Sequence, residues 1–435
     1  MKKNKTVLIV SPYFPPDNTA DLHRIRQSLP YYKQNGWNVI VLCVETSETE
    51  AYKDRSLLET IPNDIEVHKV KALPVSWTRK IGLGNVAMRA FPYLYKTGNE
   101  LIRDRKPDLV FISTTQFTAM VLGALWKKKW GIPYILDFQD PWHHDHYLKL
   151  PPNQRPPKYW FSYRMNKFLE PQAVRTADGL MAVSGSYIEM LKNRYQEIEH
   201  IPSAVIPFGA SDSDISGRYA NLLPEYFPAH APQYIRIVYT GVINREMLPV
   251  IQLFLQSVSH LQKLDDTLFQ KLKLYFIGTR YSKNQASKPV LQELALETNL
   301  TDKVVEITTR EDFLTVLQIQ KYADLLLLPG TTDDNYIASK LAPYLISQTP
   351  IFSIFKETSA AYPKLKSQPR VQLISFLENR TLTNLQSAAS DLLYQTLISL
   401  SEISKRPIVH PELYQADYLT AMQTQLFEEV LKHHA

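Results

Sequence analysis

Short apolar runs, each followed by a stretch of helical periodicity, recur along the whole chain and restrict it to an α/β fold with parallel sheets. Thr6 to Ser11 and Val39 to Val44 read as strands, and between them Leu22, Ile25, Leu29 and Tyr32 fall on one face of a helix over Asp21 to Asn35, closed by Asn35-Gly36. That is a strand–helix–strand unit. The pattern continues with strands at Asp64 to Val70, Leu109 to Ser113, Tyr134 to Asp137 and Gly179 to Ser184, and helices at about 85–105, 117–129 and 162–176. A second succession follows: Ile235 to Thr240, Leu272 to Ile277, Val304 to Ile307, Leu325 to Leu328 and Pro350 to Phe355, with helices around 249–263 and 287–298. Asp212 to Pro232 is polar and proline-containing and reads as a linker. The expected architecture is α/β: two Rossmann-like domains facing a cleft, at 1–211 and 235–410, with a linker at 212–234 and a C-terminal helix at 411–435 that packs back on the first domain.

With 435 residues there is enough chain for two cores of this kind. The single cysteine, Cys43, excludes an internal disulfide framework and lies in an apolar run, where it reads as a buried thiol. The apolar run at the N-terminus, Val7 to Val10, is too short for a signal peptide, and no stretch approaches a membrane span; a cytoplasmic location is expected. Net charge is uneven, +8 over residues 1–210 and −2 over the rest. The basic half, with Trp126-Lys-Lys-Lys-Trp130 and the basic segment Arg79 to Lys106, allows peripheral contact with the inner face of the membrane. No nucleic-acid motif is present, and no strand runs into Gly-x-Gly-x-x-Gly, which excludes a dinucleotide fingerprint.

The most informative segment is Asp324 to Ile354. It reads as a buried strand, a polar loop with Thr331, a helix opening at Ala338-Ser339-Lys340, a turn and a strand. Ligands of open α/β sheets sit at such loops, and a helix start offers free N–H groups to an anion. Gly241 and Gly278 end the first two strands of the second half, and Arg245 follows the first of them; a guanidinium at a strand end can clamp phosphate oxygens. In the first half, Ser11 to Ala20 leads from a strand into a helix, and Asp137-Phe-Gln-Asp140-Pro-Trp142 closes another strand. A carboxylate there can bind a hydroxyl or move a proton. His143-His144-Asp145-His146 are adjacent residues and do not make a metal sphere.

These motifs resemble those of the family 4-like glycosyltransferases of the GT-B fold. Ser339-Lys340-Leu341, Tyr344-Leu345 and the Pro350-Ile351 turn match the family's donor segment. The family's ribose-holding glutamate is Pro343 here, and its turn glycine is Gln348. Tyr13-Phe-Pro-Pro16 matches the N-terminal motif, with Asn18-Thr19-Ala20 replacing its glycines and Arg24 or Arg26 standing for its arginine. Glu170 to Ser184 and Ile206-Pro-Phe-Gly209 resemble further segments, the first of them architectural. The basic residues that follow the second-domain glycine in the family are Val242 and Met247 here, leaving Arg245 as the nearest substitute.

The resemblance implies a retaining, metal-independent glycosyltransferase with no cofactor beyond a nucleoside-diphosphate sugar as co-substrate. Gly241, Arg245, Gly278, Thr331, Ser339 and Lys340 would bind the donor. Asp17, Asn18, Thr19 and Arg24 would bind a glycan, lipid-linked or small-molecule acceptor, and Asp140 with His143 would be catalytic. The alternative, motivated by Pro343, Val242 and Met247, is a catalytically lapsed protein of this fold that serves as a binding or scaffolding partner.

Overall fold

The computed structural model describes residues 4–82, 84–143, 159–280, 288–332, 340–378, 382 and 384–434. The chain divides into two units, residues 1–209 with 416–435, and residues 210–415.

The first unit is built on a parallel sheet of seven strands: β1 (Lys5–Val10), β2 (Trp37–Val44), β3 (Glu66–Val70), β4 (Leu109–Ser113), β5 (Tyr134–Phe138), β6 (Gly179–Ala182) and β7 (Ser203–Val205). Their order is β3-β2-β1-β4-β5-β6-β7. This is the doubly wound order, which reverses direction between β1 and β4. The central strands are buried on both faces, which is why they read as unbroken apolar runs and not as alternating ones. On one side, helix α1 (Leu22–Tyr32) and the C-terminal helix Ala416–His434 cover the sheet. The Phe427 ring sits 5.2 Å from Trp37 and 5.1 Å from Phe111, and the Tyr32 hydroxyl donates to Gln423 at 2.7 Å. Burial of a side chain of that size is worth about 1.5–3 kcal/mol. On the other side lie α2 (Val86–Arg105), α3 (Val121–Trp130), α4 (Tyr159–Val174) and α5 (Gly185–Arg194).

The second unit repeats the plan with six parallel strands: β8 (Ile235–Thr240), β9 (Leu272–Ile277), β10 (Val304–Ile307), β11 (Leu325–Pro329), β12 (Ile351–Lys356) and β13 (Val371–Phe376). Their order, β10-β9-β8-β11-β12-β13, reverses between β8 and β11. Segment 212–234, expected to be a linker, is part of this unit. Its apolar members Ile215, Tyr219 and Phe227 are buried in the core, and the Arg236 guanidinium stacks on the Phe227 ring at 4.6 Å. Polar composition hid three anchoring side chains.

Candidate functional site

In each unit the loops at the point of strand reversal carry the candidate residues. In the second unit the loop after β8 starts at Gly241, whose φ of +125° is open to glycine but strained for any other residue. A Cβ at this position would also lie 2.2 Å from Lys340 Cε and 2.5 Å from Lys340 Nζ. The Lys340 side chain therefore rests directly on the glycine backbone. Its ammonium donates to the Tyr239 hydroxyl at 2.9 Å and sits 4.7 Å from the centre of that ring. Tyr239 is buried, and its hydroxyl donates to the Val242 carbonyl at 2.8 Å. Gly278, at φ +73°, brings the end of β9 alongside Gly241, 4.0 Å away from where its own Cβ would be.

The loop after β11 is stitched to the same place. Thr332 N donates to the Glu246 carbonyl at 3.1 Å, and Thr331 is buried beside it. Arg245 is exposed at the start of a single 3-10 turn capped by Asn244, whose side chain accepts from Met247 N at 3.0 Å. Among the described residues no carboxylate pairs with Lys340 or Arg245. Gly241, Gly278, Thr331, Arg245 and Lys340 thus belong to one loop cluster, with two cations that no carboxylate among the described residues pairs; Ser339 lies outside the described residues. Of the helix start expected at Ala338-Ser339-Lys340, Ala338 and Ser339 lie outside the described residues; the described helix runs from Leu341 to Ile346, with Lys340 just before it. Six residues supply little helix dipole, so the positive charge at this end of the helix is that of the Lys340 ammonium. Tyr344 on this short helix accepts from Thr240 N at 3.1 Å and locks it to β8. Pro343, on the same helix, brings no carboxylate.

In the first unit the loops after β1, β4 and β5 meet. Asp21 ties them together: its carboxylate accepts from Thr19 Oγ1 at 2.6 Å, Thr114 Oγ1 at 3.1 Å and Thr115 N at 3.1 Å. Beneath them, Asp137 is fully buried and forms an ion pair with Arg24 at 2.9 Å and accepts from Ser113 Oγ at 2.7 Å. Burial pushes the Asp137 carboxyl up, and Arg24 opposes that shift. Gln139 donates to Ser113 Oγ at 3.0 Å and to the Asp21 carbonyl at 3.1 Å.

Asp140 follows this buried network and opens to solvent at the rim. Its carboxylate makes no hydrogen bond among the described residues. Desolvation by the surrounding protein first, and the Asp21 charge second, push its carboxyl up to about 6. A carboxylate so placed can take a proton near neutral pH. His143 is buried against Tyr163, ring centres 4.8 Å apart, with its N–H on Glu170 at 3.0 Å and its carbonyl on Arg194 at 3.1 Å. Residues 144–146 lie outside the described set, and the described residues hold no group of metal-ligating side chains.

The residues assigned to an acceptor are largely committed to the fold. Asp17 is buried against Lys53 and Thr49. Asn18 donates to Asp54 at 3.2 Å. Arg24 is buried and also donates to the carbonyls of Ile206 and Pro207. Only half-buried Thr19 borders the rim. Asp21 and Tyr239 escaped the sequence reading: an aspartate before a helix reads as a cap, and a tyrosine inside a strand reads as core.

The family model of the glycosyl transferase 4-like domain matches residues 23–209. The matched residues lie in the first unit. The complete chain has the GT-B fold of two Rossmann-like domains, and it is similar to solved structures of that class. The trehalose 6-phosphate synthase of Burkholderia multivorans aligns with 100% of both chains at a TM-score of 0.63 and 10% identity. Sucrose-phosphate synthase of Thermosynechococcus elongatus aligns over 98% of this chain and 99% of its own, at 0.60 and 13%. Anabaena HepE, solved in complex with UDP, aligns over 98% and 99%, at 0.59 and 15%. No curated protein matches the sequence.

Proposed function

We propose that this protein transfers a glycosyl group from a nucleoside-diphosphate sugar to an acceptor hydroxyl. The observation that carries the reading is the Lys340 ammonium resting on Gly241 at the strand reversal of the second sheet, held by the Tyr239 hydroxyl and paired with no carboxylate among the described residues. Such a cation, beside backbone that a ligand can approach closely, suits a diphosphate. Arg245 supplies a second positive charge, and Gly278, Thr331 and Ser339 complete the proposed donor contacts.

In the reaction the bond from the anomeric carbon to the diphosphate oxygen breaks, and its electrons leave with the diphosphate. Lys340 and Arg245 stabilise that charge as it develops. The acceptor oxygen forms the new bond and loses its proton. Asp140, raised to about 6, is the proposed acceptor of that proton. His143 would shape the wall beside it. Retention of anomeric configuration, metal independence and the absence of a further cofactor belong to the reading by family likeness. So does an acceptor that is a glycan, a lipid-linked glycan or a small molecule, met in the cytoplasm. That HepE has been solved with UDP and with UDP-glucose supports a uridine nucleotide as the first to try.

Thermal unfolding of the purified chain with a panel of nucleoside diphosphates and their sugar conjugates tests this. A ligand at about 100 times its Kd adds roughly 2.7 kcal/mol of stability. A shift selective for one nucleotide is expected. No shift with any member, in a folded sample, would remove the donor site and leave the catalytically lapsed reading.

A further inference from the structure

The first unit has an outward face of aromatic and basic side chains that neither core uses. Along α4 the exposed positions include Trp160, Arg164, Lys167 and Phe168, spaced as one helical stripe. Trp160 is 65% exposed and Phe168 66%. The Arg164 guanidinium lies 5.8 Å from the centre of the Trp160 ring. The short helical segment at 75–81 adjoins this stripe, because a Cβ at Gly82 would lie 3.3 Å from the Phe161 ring. That segment presents Trp77, at 75% exposure, and exposed Lys80. The one acid on α4, Glu170, is buried and paired with Arg194, so it does not offset these cations.

The surface differs from the one expected at Trp126 to Trp130. There Trp126 is fully buried against Gly98, and Lys127 is paired with Asp178 at 2.7 Å. Part of that motif is structural, and the more exposed rings are elsewhere.

Large rings held in water next to cations that no described carboxylate pairs match one kind of partner best. Tryptophan and phenylalanine settle at the boundary between headgroups and acyl chains, and Lys and Arg stems reach past them to the phosphates. No helix among the described residues is long and apolar enough to cross a membrane, so contact by this face is superficial.

We propose that this face docks on an anionic lipid bilayer, with Trp77, Trp160 and Phe168 entering the headgroup layer and Lys80, Arg164 and Lys167 against lipid phosphates. The inference goes beyond the transfer reading and does not depend on it.

Co-sedimentation of the full chain with vesicles tests it, using phosphatidylcholine alone and phosphatidylcholine with phosphatidylglycerol, at low and high salt. Binding is expected to require phosphatidylglycerol and to fall with salt. Arg164→Glu with Lys167→Glu should lower the partition coefficient roughly tenfold or more, as expected for charge reversal at an anionic surface. Trp160→Ser with Phe168→Ser should also weaken binding while the unfolding midpoint holds, because both rings are exposed. The proposal is overturned by no vesicle binding, by equal binding to neutral vesicles, or by variants that bind like the parent. It is equally overturned if the same substitutions abolish self-association while vesicles never pellet the chain, which would assign the face to a protein contact.

Discussion

The Lys340 ammonium donates to the Tyr239 hydroxyl at 2.9 Å and lies over the face of the same ring. Tyr239 thus fixes the position of the cation from which the donor reading is built. Its own hydroxyl proton goes to the Val242 carbonyl, so its lone pairs face the ammonium. Tyr239→Phe keeps the ring and removes the oxygen. Loss of one such hydrogen bond costs about 1 kcal/mol, so nucleotide Kd is expected to rise about fivefold in a titration. Gly241→Ala tests the same geometry from the other side. Its Cβ would have to displace Lys340 and hold a strained φ, at a cost of about 1–3 kcal/mol in stability. Tight nucleotide binding by a folded Gly241→Ala variant would show that Lys340 is not needed where it stands.

Lys340→Ala and Arg245→Ala each remove a cation from the loop cluster of the second unit. Charge-assisted contacts are worth about 1.5–3 kcal/mol, so each substitution should weaken diphosphate binding by roughly 10-fold to 100-fold. Calorimetric titration with a nucleoside diphosphate reads this directly. The unmodified nucleoside should be nearly indifferent to both changes. Unchanged diphosphate affinity in both variants would eliminate the site.

Asp140 predicts a pH dependence of definite sign. Its folded-state carboxyl is raised to about 6, above the ordinary aspartate value of 3.8, so the fold holds that proton more tightly than the unfolded chain does. The resulting stabilisation is complete below about 3.8 and is lost as pH rises through about 6. Asp140→Asn should therefore raise the unfolding midpoint relative to the parent above pH 6 and converge with it in acid. Because Asp140 is exposed to solvent, the gain is small. If Asp140 moves the acceptor proton, the rate profile of the parent also carries an inflection near 6 that the asparagine variant lacks. A parent profile flat through that range would make Asp140 a structural or binding group.

Gln348 offers a stabilising substitution. It occupies the turn position where the family pattern has glycine, and it does so at φ +63°. A left-handed backbone costs a residue with a Cβ roughly 1–2 kcal/mol. Gln348→Gly relieves that and is partly offset by the freer unfolded chain, about 0.4–1 kcal/mol. A net gain of up to about 1 kcal/mol is expected in urea unfolding. Gln348→Ala keeps the Cβ and should gain nothing; an equal gain from both would place the effect in the lost side chain and not in the backbone.

The strands were legible wherever burial on both faces made the run continuous, and Leu109–Ser113 and Ile235–Thr240 need no adjustment. Val371–Phe376 was not read as a strand because Gln372 and Ser375 interrupt its apolar residues. Lys340 was legible because its motif is local in sequence. What holds it was not, since Tyr239 and Gly241 lie about a hundred residues earlier and meet it only after β8 and β11 pair. Arg24 shows the opposite failure: a basic residue on a loop-adjacent helix read as a ligand contact, and its true partner, Asp137, is 113 positions away.

That pairing carries the last prediction. Arg24 and Asp137 are both buried, at 6% and 0% exposure, and Arg24 also holds the Ile206 and Pro207 carbonyls. Arg24→Met fills much of the same space but strands a buried carboxylate, which typically costs about 3–5 kcal/mol. Arg24→Met with Asp137→Asn removes that charge while leaving an amide to meet Ser113 and Gln139. The double variant should therefore recover a substantial part of the loss in urea unfolding. Equal losses in the single and double variants would mean that the carbonyl contacts to Ile206 and Pro207, and not the ion pair, are what Arg24 contributes. In either case donor binding to the second unit is expected to persist in the folded protein, since none of these residues belongs to that unit.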